Sequence, residues 1–241
     1  MSRQIQWFRV LVEGAVIVVS ILLAFGIQAW WDGRQQRVAE LDALRQLDGA
    51  LAQFEPVLAT WRSNHSGVAE SAAVLLEHTV LDGAVALTED SVATLLAPVT
   101  WGWTIDLPDP TLEAFESSGR LGALQNQELL DALTTWRGVM ADLQGDEDME
   151  DAYLYQGLTP FLNEHAAWRT IGHFDEALIP AGQRIPRSVF PSGLLELMRS
   201  RDFENLIELR RVAAATMVSN YDDALAALSE VRRLVQAEMG R

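Results

Sequence analysis

The four histidines are the side chains best suited to acid–base or metal chemistry, but their spacing favours neither. No two of them are separated like the ligands of a helical zinc site. The chain has no cysteine, which excludes disulfides, thiolate zinc sites and cysteine nucleophiles. The sequence also lacks a glycine-rich phosphate loop and a G-x-S-x-G nucleophile elbow. We therefore expect surface or capping roles for the four, which are His65, His78, His165 and His173.

The acidic run GDEDMED at 145–151 is the best candidate for a divalent-cation site. It lacks the ligand spacing and the central glycine of an EF-hand loop. A solvated helix face or loop is the interpretation that we favour. With no other cluster of ligating or nucleophilic residues, the sequence predicts a protein without a cofactor, a metal ion or an enzymatic activity.

Two tryptophans could instead form a binding site. Trp101 and Trp103 flank Gly102 and follow Pro98, in a connector that is rich in proline. Aromatic side chains in such a segment can line a pocket for a ligand or a peptide. The alternative is that they form a lid over a hydrophobic core.

The charge balance restricts the partners. The formal net charge is -16, and a surface of this sign repels nucleic acids and anionic lipid headgroups. We therefore exclude nucleic acid as a partner.

The element that must position any site is an apolar segment at Val10–Trp31. As a helix it would be about 33 Å long, enough to cross a hydrocarbon core of about 30 Å. Aromatic residues stand at both of its ends, where membrane helices place them. A cleaved signal peptide is the alternative, but Glu13 interrupts its apolar part and the apolar run continues past the weak cleavage match at Ala24.

Four small or polar residues of this segment share one helical face, within about 80°. Membrane helices use such stripes to pack on one another, because lipid offers polar groups no hydrogen bonds. We predict that this face contacts a second copy or another membrane protein. The alternative is that the end residues reach the membrane surfaces and the serine bonds its own backbone. The four residues of this partner face are Glu13, Ser20, Ala24 and Gln28.

The numbers of basic residues on the two sides of the segment are nearly equal, so they determine its orientation only weakly. Arg3 and Arg9 precede the segment, and Arg34, Arg37 and Arg45 follow it. We predict a single-pass protein of the bacterial inner membrane. Its N-terminal tail should be cytoplasmic, because a short basic tail before a first span usually stays in the cytoplasm. Its C-terminal domain would then be periplasmic.

The remaining pattern is helical. Apolar residues recur at helical spacing over 34–61, which predicts a stalk helix. Only Gly33 separates it from the membrane segment, so we expect one helix that kinks or ends near Pro56. A separate helix is predicted at 67–79.

Caps and breakers organise the middle of the chain. Thr88 should cap a short helix that stops before Pro98. Asn126 should cap a longer one that continues through the acidic run to Pro160. Prolines and glycines predict a long loop at 171–191.

The segment 201–238 has the clearest pattern, a 4, 3 spacing over more than four heptads. We expect it to pack on the stalk helix in a bundle, and an intermolecular coiled coil is the alternative. The predicted seam consists of Phe203, Ile207, Arg210, Ala214, Met217, Tyr221, Ala224, Leu228, Val231 and Val235.

These elements predict an all-α chain in three parts: a short basic tail at 1–9, a transmembrane helix at 10–31 and an acidic helical domain at 32–241. The transmembrane helix would be continuous with an elongated helical bundle.

Three stretches together resemble a bacterial family of single-span membrane proteins that is known only as a domain of unknown function. They are the acid and apolar run at 13–31, the Ser-Gly-x-Leu turn and Asn-capped helix within 111–133, and the S-R-D-F-E-N-L motif at 200–206. Phe25, Gly26 and Trp31 depart from the family's pattern. The resemblance implies an anchored helical domain and assigns no catalytic residues.

The sequence thus predicts a membrane-anchored, non-catalytic helical interaction module or accessory subunit. It would associate, with itself or with another membrane protein, through its span and its helical domain. The alternative is a ligand-sensing domain with an aromatic pocket near Trp101 and Trp103.

Overall fold

The computed structural model describes residues 7–80, 87–102, 124, 126–171 and 188–240. Within these ranges all the regular structure is helical, so the predicted all-α class is confirmed. Most of the predicted loop at 171–191 lies outside the described residues.

The first helix, α1, runs from Trp7 to Val80, about 110 Å at the usual helical rise. The helix does not end near Pro56, and 67–79 is part of it, so the prediction of a separate helix there was wrong. Pro56 lies inside the helix on its exposed face. It has no N–H for the carbonyl four residues before it, and water can bond that carbonyl instead. In addition, the hydroxyl of Thr60 donates to the Pro56 carbonyl at 2.8 Å.

The N-terminal part of α1 stands apart from the rest of the described chain. Every side chain from Leu11 to Gln36 is exposed, although the most apolar 18-residue window has a mean hydropathy of 2.2. By length and composition, this part of α1 could cross a membrane. Ala43 is the first buried residue after it.

The second helix, α2, spans Glu89–Val99. Its predicted N-cap is confirmed, since the Thr88 hydroxyl oxygen accepts a hydrogen bond from the Ser91 N–H at 3.1 Å. The predicted stop before Pro98 was wrong, because the helix includes this proline in its last turn. There the proline removes the partner only of the carbonyl at Thr94, an exposed residue.

The third helix, α3, spans Gln127–Tyr153, and the predicted cap is confirmed by the bond from the Leu129 N–H to the Asn126 side chain. A π-helical turn at Leu154–Leu158 joins it to α4 at Thr159–His165. The predicted end at Pro160 was therefore wrong. The π turn restarts the hydrogen-bond ladder, so that Pro160 falls in the first turn of α4, where its missing N–H is not needed.

A single turn, α5 at Leu194–Leu197, precedes the last helix, α6 at Arg201–Met239. Every residue of the predicted seam is buried in α6. The helix packs along α1 and runs antiparallel to it. Two ion pairs show this direction, since Arg62 pairs with Asp222 and Arg37 pairs with Glu238. The C-terminal end of α6 consequently returns to the point where α1 leaves its apolar segment.

Two hydrophobic cores follow one another along this bundle. The proximal core, nearer the apolar segment, is formed by α1, α3 and α6 around Leu51, Trp136 and Leu228. The distal core is formed by the end of α1 with α2, the π turn, α4, α5 and the start of α6, around Leu75, Leu96 and Phe203.

Candidate functional site

Five polar side chains lie in the helical bundle where the proximal and distal cores meet. Each is at most 3% exposed, a degree of burial that charged side chains rarely reach unless they are paired. We call this group the polar layer. It consists of His65 from α1, Glu147 and Glu150 from α3, and Arg210 and Tyr221 from α6.

Arg210 connects three elements of the bundle. Its Nη1 pairs with a carboxylate oxygen of Glu150, which lies 60 residues away in the chain. Its Nε donates to the Val99 carbonyl at 3.0 Å, and its Nη2 donates to the Trp101 carbonyl at 2.6 Å. The planar guanidinium thus satisfies one carboxylate and two carbonyls at the end of α2, which an ammonium group could not do with the same geometry.

His65 is the least satisfied member of the layer. Its Nδ1 lies 3.3 Å from the second oxygen of Glu150, but neither ring nitrogen has a hydrogen bond of acceptable geometry. Its ring also stacks at a tilt on Tyr221, with centroids 5.3 Å apart. A fully buried imidazole in this state adds a desolvation cost to the fold.

Tyr221 donates its hydroxyl hydrogen to a carboxylate oxygen of Glu147. Burial raises the pKa of the Tyr221 hydroxyl well above its usual value, and the hydrogen bond and the negative charge of Glu147 raise it further. Tyr221 is therefore protonated at neutral pH and acts as a hydrogen-bond donor to Glu147.

Asp151 of α3 is half-buried and lies next to the polar layer. Burial raises the pKa of this carboxyl group, the negative charge of Glu150 raises it further, and the positive charge of Arg210 opposes both. Gly102 lies against the Asp151 carboxylate so closely that a Cβ atom at this position would collide with it. The short chain segment after α2 is thus held against the polar layer.

The burial of most residues of the polar layer was not predicted from the sequence. The acidic run at 145–151 was expected to be a solvated face or loop, but two of its glutamates are buried. Glu147 and Glu150 continue the 4, 3, 4 spacing from Leu143 to Leu154, so they occupy core positions of α3. That spacing, together with a lone arginine in the apolar seam of α6, was the signal that could have identified them. The surface or capping role expected for His65 was also wrong.

The arrangement suits positioning rather than turnover of a substrate. All five side chains are closed off from solvent, so a substrate could not reach them in this conformation. Arg210 supplies the guanidinium of the layer, and Glu147 and Glu150 supply its two carboxyl groups. A shift of α3 or α6 would separate Arg210 from Glu150 and leave a buried charge without its partner, so this pair links the register of these two helices. On α1, His65 meets the layer through its ring contact with Tyr221.

The predicted partner face lies on the exposed part of α1. The side chains of Glu13, Ser20, Ala24 and Gln28 are all exposed. The Ser20 hydroxyl donates to the Val16 carbonyl at 2.8 Å, as the alternative interpretation of this residue expected. This bond leaves the serine oxygen able to accept a hydrogen bond from a neighbouring helix.

Of the predicted aromatic pocket, only one residue can be placed. Trp101 is half-buried beside the polar layer, to which its carbonyl is bonded. Trp103 lies outside the described residues, so the pocket stays a prediction.

Among the residues that the structure describes, no group of three or more histidine, aspartate or glutamate side chains is arranged to hold a metal ion. The chain matches no protein-family model, and neither a curated protein nor a solved structure is significantly similar to it.

Proposed function

We propose that this protein is a membrane-anchored, non-catalytic helical interaction module, which acts as an accessory subunit of a membrane assembly. It would associate through its membrane span and through its helical domain. The span would contact a second copy or another membrane protein.

The observation that carries the proposal is the continuity of α1. One helix contains both the exposed apolar segment and the residues that form one side of the bundle core. No loop separates the two within Trp7–Val80, so a contact made by the segment would be transmitted along the axis of the helix. A flexible tether would need no such rigidity.

The polar layer supports the same proposal. The Arg210–Glu150 pair links α3 to α6, and His65 of α1 lies against Glu150 and Tyr221, so a rotation of α1 about its axis would disturb a defined set of buried contacts. Placement in the bacterial inner membrane, with the helical domain in the periplasm, belongs to this proposal and rests on the short basic tail before the span.

Disulfide crosslinking in membranes tests the predicted partner face. The chain has no native cysteine, so Ser20→Cys can be compared directly with Leu22→Cys, which lies about 160° away on the opposite face of the same helix. We expect a crosslinked product, to a second copy or to a cysteine-bearing partner, mainly from Ser20→Cys. Equal yields at the two positions would mean that the span is only an anchor.

The alternative function, ligand sensing, is favoured by one contact. The Trp101 carbonyl is bonded to Arg210, so a ligand that moved this segment would act on the polar layer. Addition of metabolites should then shift the fluorescence of the wild type but not of a Trp101→Phe variant. Identical responses from the two proteins would exclude a site at Trp101.

A further inference from the structure

A groove follows the seam between α3 and α6 on the outside of the bundle. One stretch, with a volume of about 600 Å³, is lined by Asp146, Met149 and Asp223. The next, of about 330 Å³, is lined by Tyr153 and Leu209. Met149 and Tyr153 are four residues apart on α3 and therefore lie one above the other, so the two stretches follow one another along the same face of this helix. From residue 139 to residue 157 the groove extends about 27 Å.

The end of the groove near the π turn is apolar and open to solvent. Met149 is 56% exposed, Leu209 is 50% exposed and Tyr153 is 48% exposed. A contiguous group of large apolar side chains on a soluble surface marks a contact site. The π turn at Leu154–Leu158 lines the same end, and such turns occur frequently at functional sites.

The opposite end is acidic and electrostatically uncompensated. Asp142, Asp146 and Asp223 line it. Within the described ranges, neither Asp142 nor Asp223 has a cationic partner, and Asp146 accepts a hydrogen bond only from the neutral amide of Asn220, at 2.7 Å. This end therefore attracts positive charge.

The position of the groove excludes lipid as its occupant. Asp222 pairs with Arg62 on α1, so the acidic end of the groove is level with Arg62. Along the helix, Arg62 lies about 46 Å beyond Trp31, the end of the predicted span. A bilayer around the span cannot reach this surface.

We propose that this groove binds an amphipathic helix of a partner protein, with basic residues toward the acidic end and apolar residues toward Met149, Tyr153 and Leu209. The groove matches the length of about 18 helical residues. A second copy is disfavoured because each copy carries a net charge of -16. The inference rests on the proposed function, since it names the class of partner that the helical domain would recognise.

The probe for the test is a labelled 18-residue helical peptide of leucine and lysine, with its lysines concentrated at one end. Its binding to the full chain in lipid nanodiscs is measured by fluorescence anisotropy. We expect saturable binding that weakens about tenfold in Asp142→Asn/Asp146→Asn/Asp223→Asn. The charge-matched control, Glu77→Gln/Glu164→Gln/Glu196→Gln, removes three exposed carboxylates elsewhere and should change the affinity less than about twofold.

A second pair of variants tests the apolar end. Met149→Ser/Leu209→Ser should weaken binding by about tenfold, whereas Val189→Ser/Phe190→Ser, which alters an exposed apolar pair outside the groove, should not. Equal losses in the two acidic triple variants, or in the two serine variants, would overturn the groove as the binding site. Absence of saturable binding, or efficient self-crosslinking of Met149→Cys, would overturn a basic helix as its occupant.

The span experiment separates this inference from the function on which it rests. If the groove variants have no specific effect but Ser20→Cys still crosslinks selectively, the groove is wrong and the interaction module stands. If Ser20→Cys and Leu22→Cys crosslink equally while the peptide binds the groove, association through the span is wrong.

Discussion

Arg210 shows how a single buried charge constrains its neighbours. It is 2% exposed and bonds one carboxylate and two carbonyls. A buried ion pair adds little net stability over an apolar pair, but removal of one partner leaves the other charge uncompensated. We therefore expect Arg210→Ala to lower the free energy of unfolding by about 3–5 kcal/mol, measured by urea unfolding of the full chain in micelles.

Two comparisons make that measurement specific. Arg211→Ala, which removes an exposed pair with Glu208, should lower the free energy of unfolding by less than about 1 kcal/mol. The double variant Arg210→Met/Glu150→Leu should recover part of the loss, because no unpaired charge remains, although the Val99 and Trp101 carbonyls still lack their donor. A loss at Arg210→Ala no larger than at Arg211→Ala would contradict the burial of the pair.

Asp151 makes stability depend on pH. Burial raises the pKa of Asp151 in the folded protein above its unfolded value, so the folded state binds the proton more tightly. Its stabilising contribution is complete below the unfolded pKa and is lost as the pH rises through the folded pKa. Asp151→Asn should therefore raise the melting temperature at pH 7, and the gain should shrink near pH 3.5.

The control for Asp151 is Asp142→Asn, a neutralisation of an exposed carboxylate on the same helix. Thermal melts followed by circular dichroism should show no comparable gain for it at pH 7. A gain at Asp151→Asn that persisted unchanged at low pH would exclude the raised pKa as its cause.

At the scale of helices, the prolines show that the position of a residue in the folded helix can outweigh its local tendency to end a helix. Pro98 and Pro160 were expected to end helices and Pro56 to kink or end one, but all three lie within helices. Pro98 in a last turn and Pro160 in a first turn lose little by the missing N–H, and Pro56 lies on an exposed face, where water can replace part of the lost hydrogen bond. The caps at Thr88 and Asn126 depend only on local geometry, and both were predicted correctly.

Pro56 is the proline with the greatest effect, since it alone lies far from both ends of its helix. Pro56→Ala should raise the free energy of unfolding by about 2 kcal/mol, because alanine restores a hydrogen bond and has a higher helix propensity. Pro160→Ala, in the first turn of α4, should give a much smaller gain in the same urea titration. Equal gains would mean that backbone hydrogen bonding does not explain the difference.

At the scale of the whole molecule, α1 makes the apolar segment and the bundle one body. Spin labels on Leu23→Cys and Gln53→Cys, both exposed and 30 residues apart along α1, should give a single narrow distance near 45 Å in nanodiscs. Double electron–electron resonance measures this distribution. Insertion of a flexible Gly-Ser segment after Gly33 should broaden it severalfold, and a distribution that was already broad without the insertion would refute the rigid connection.

The sequence by itself determined what depends on neighbours in the chain. Hydropathy identified the apolar segment, the 4, 3 spacing identified the seam of α6, and capping side chains fixed the starts of α2 and α3. These features follow from helix geometry and from transfer of side chains out of water, which act over a few turns.

Only the tertiary structure decided the polar layer and the length of α1. The spacing of Glu147 and Glu150 places them at core positions of α3, but their polarity assigned them to the surface, and Glu150 can be buried because Arg210 reaches it across 60 residues of chain. Pro56 is tolerated because packing leaves its face of the helix exposed to solvent. In both cases the deciding free energy comes from contacts or exposure that exist only after the helices have packed together.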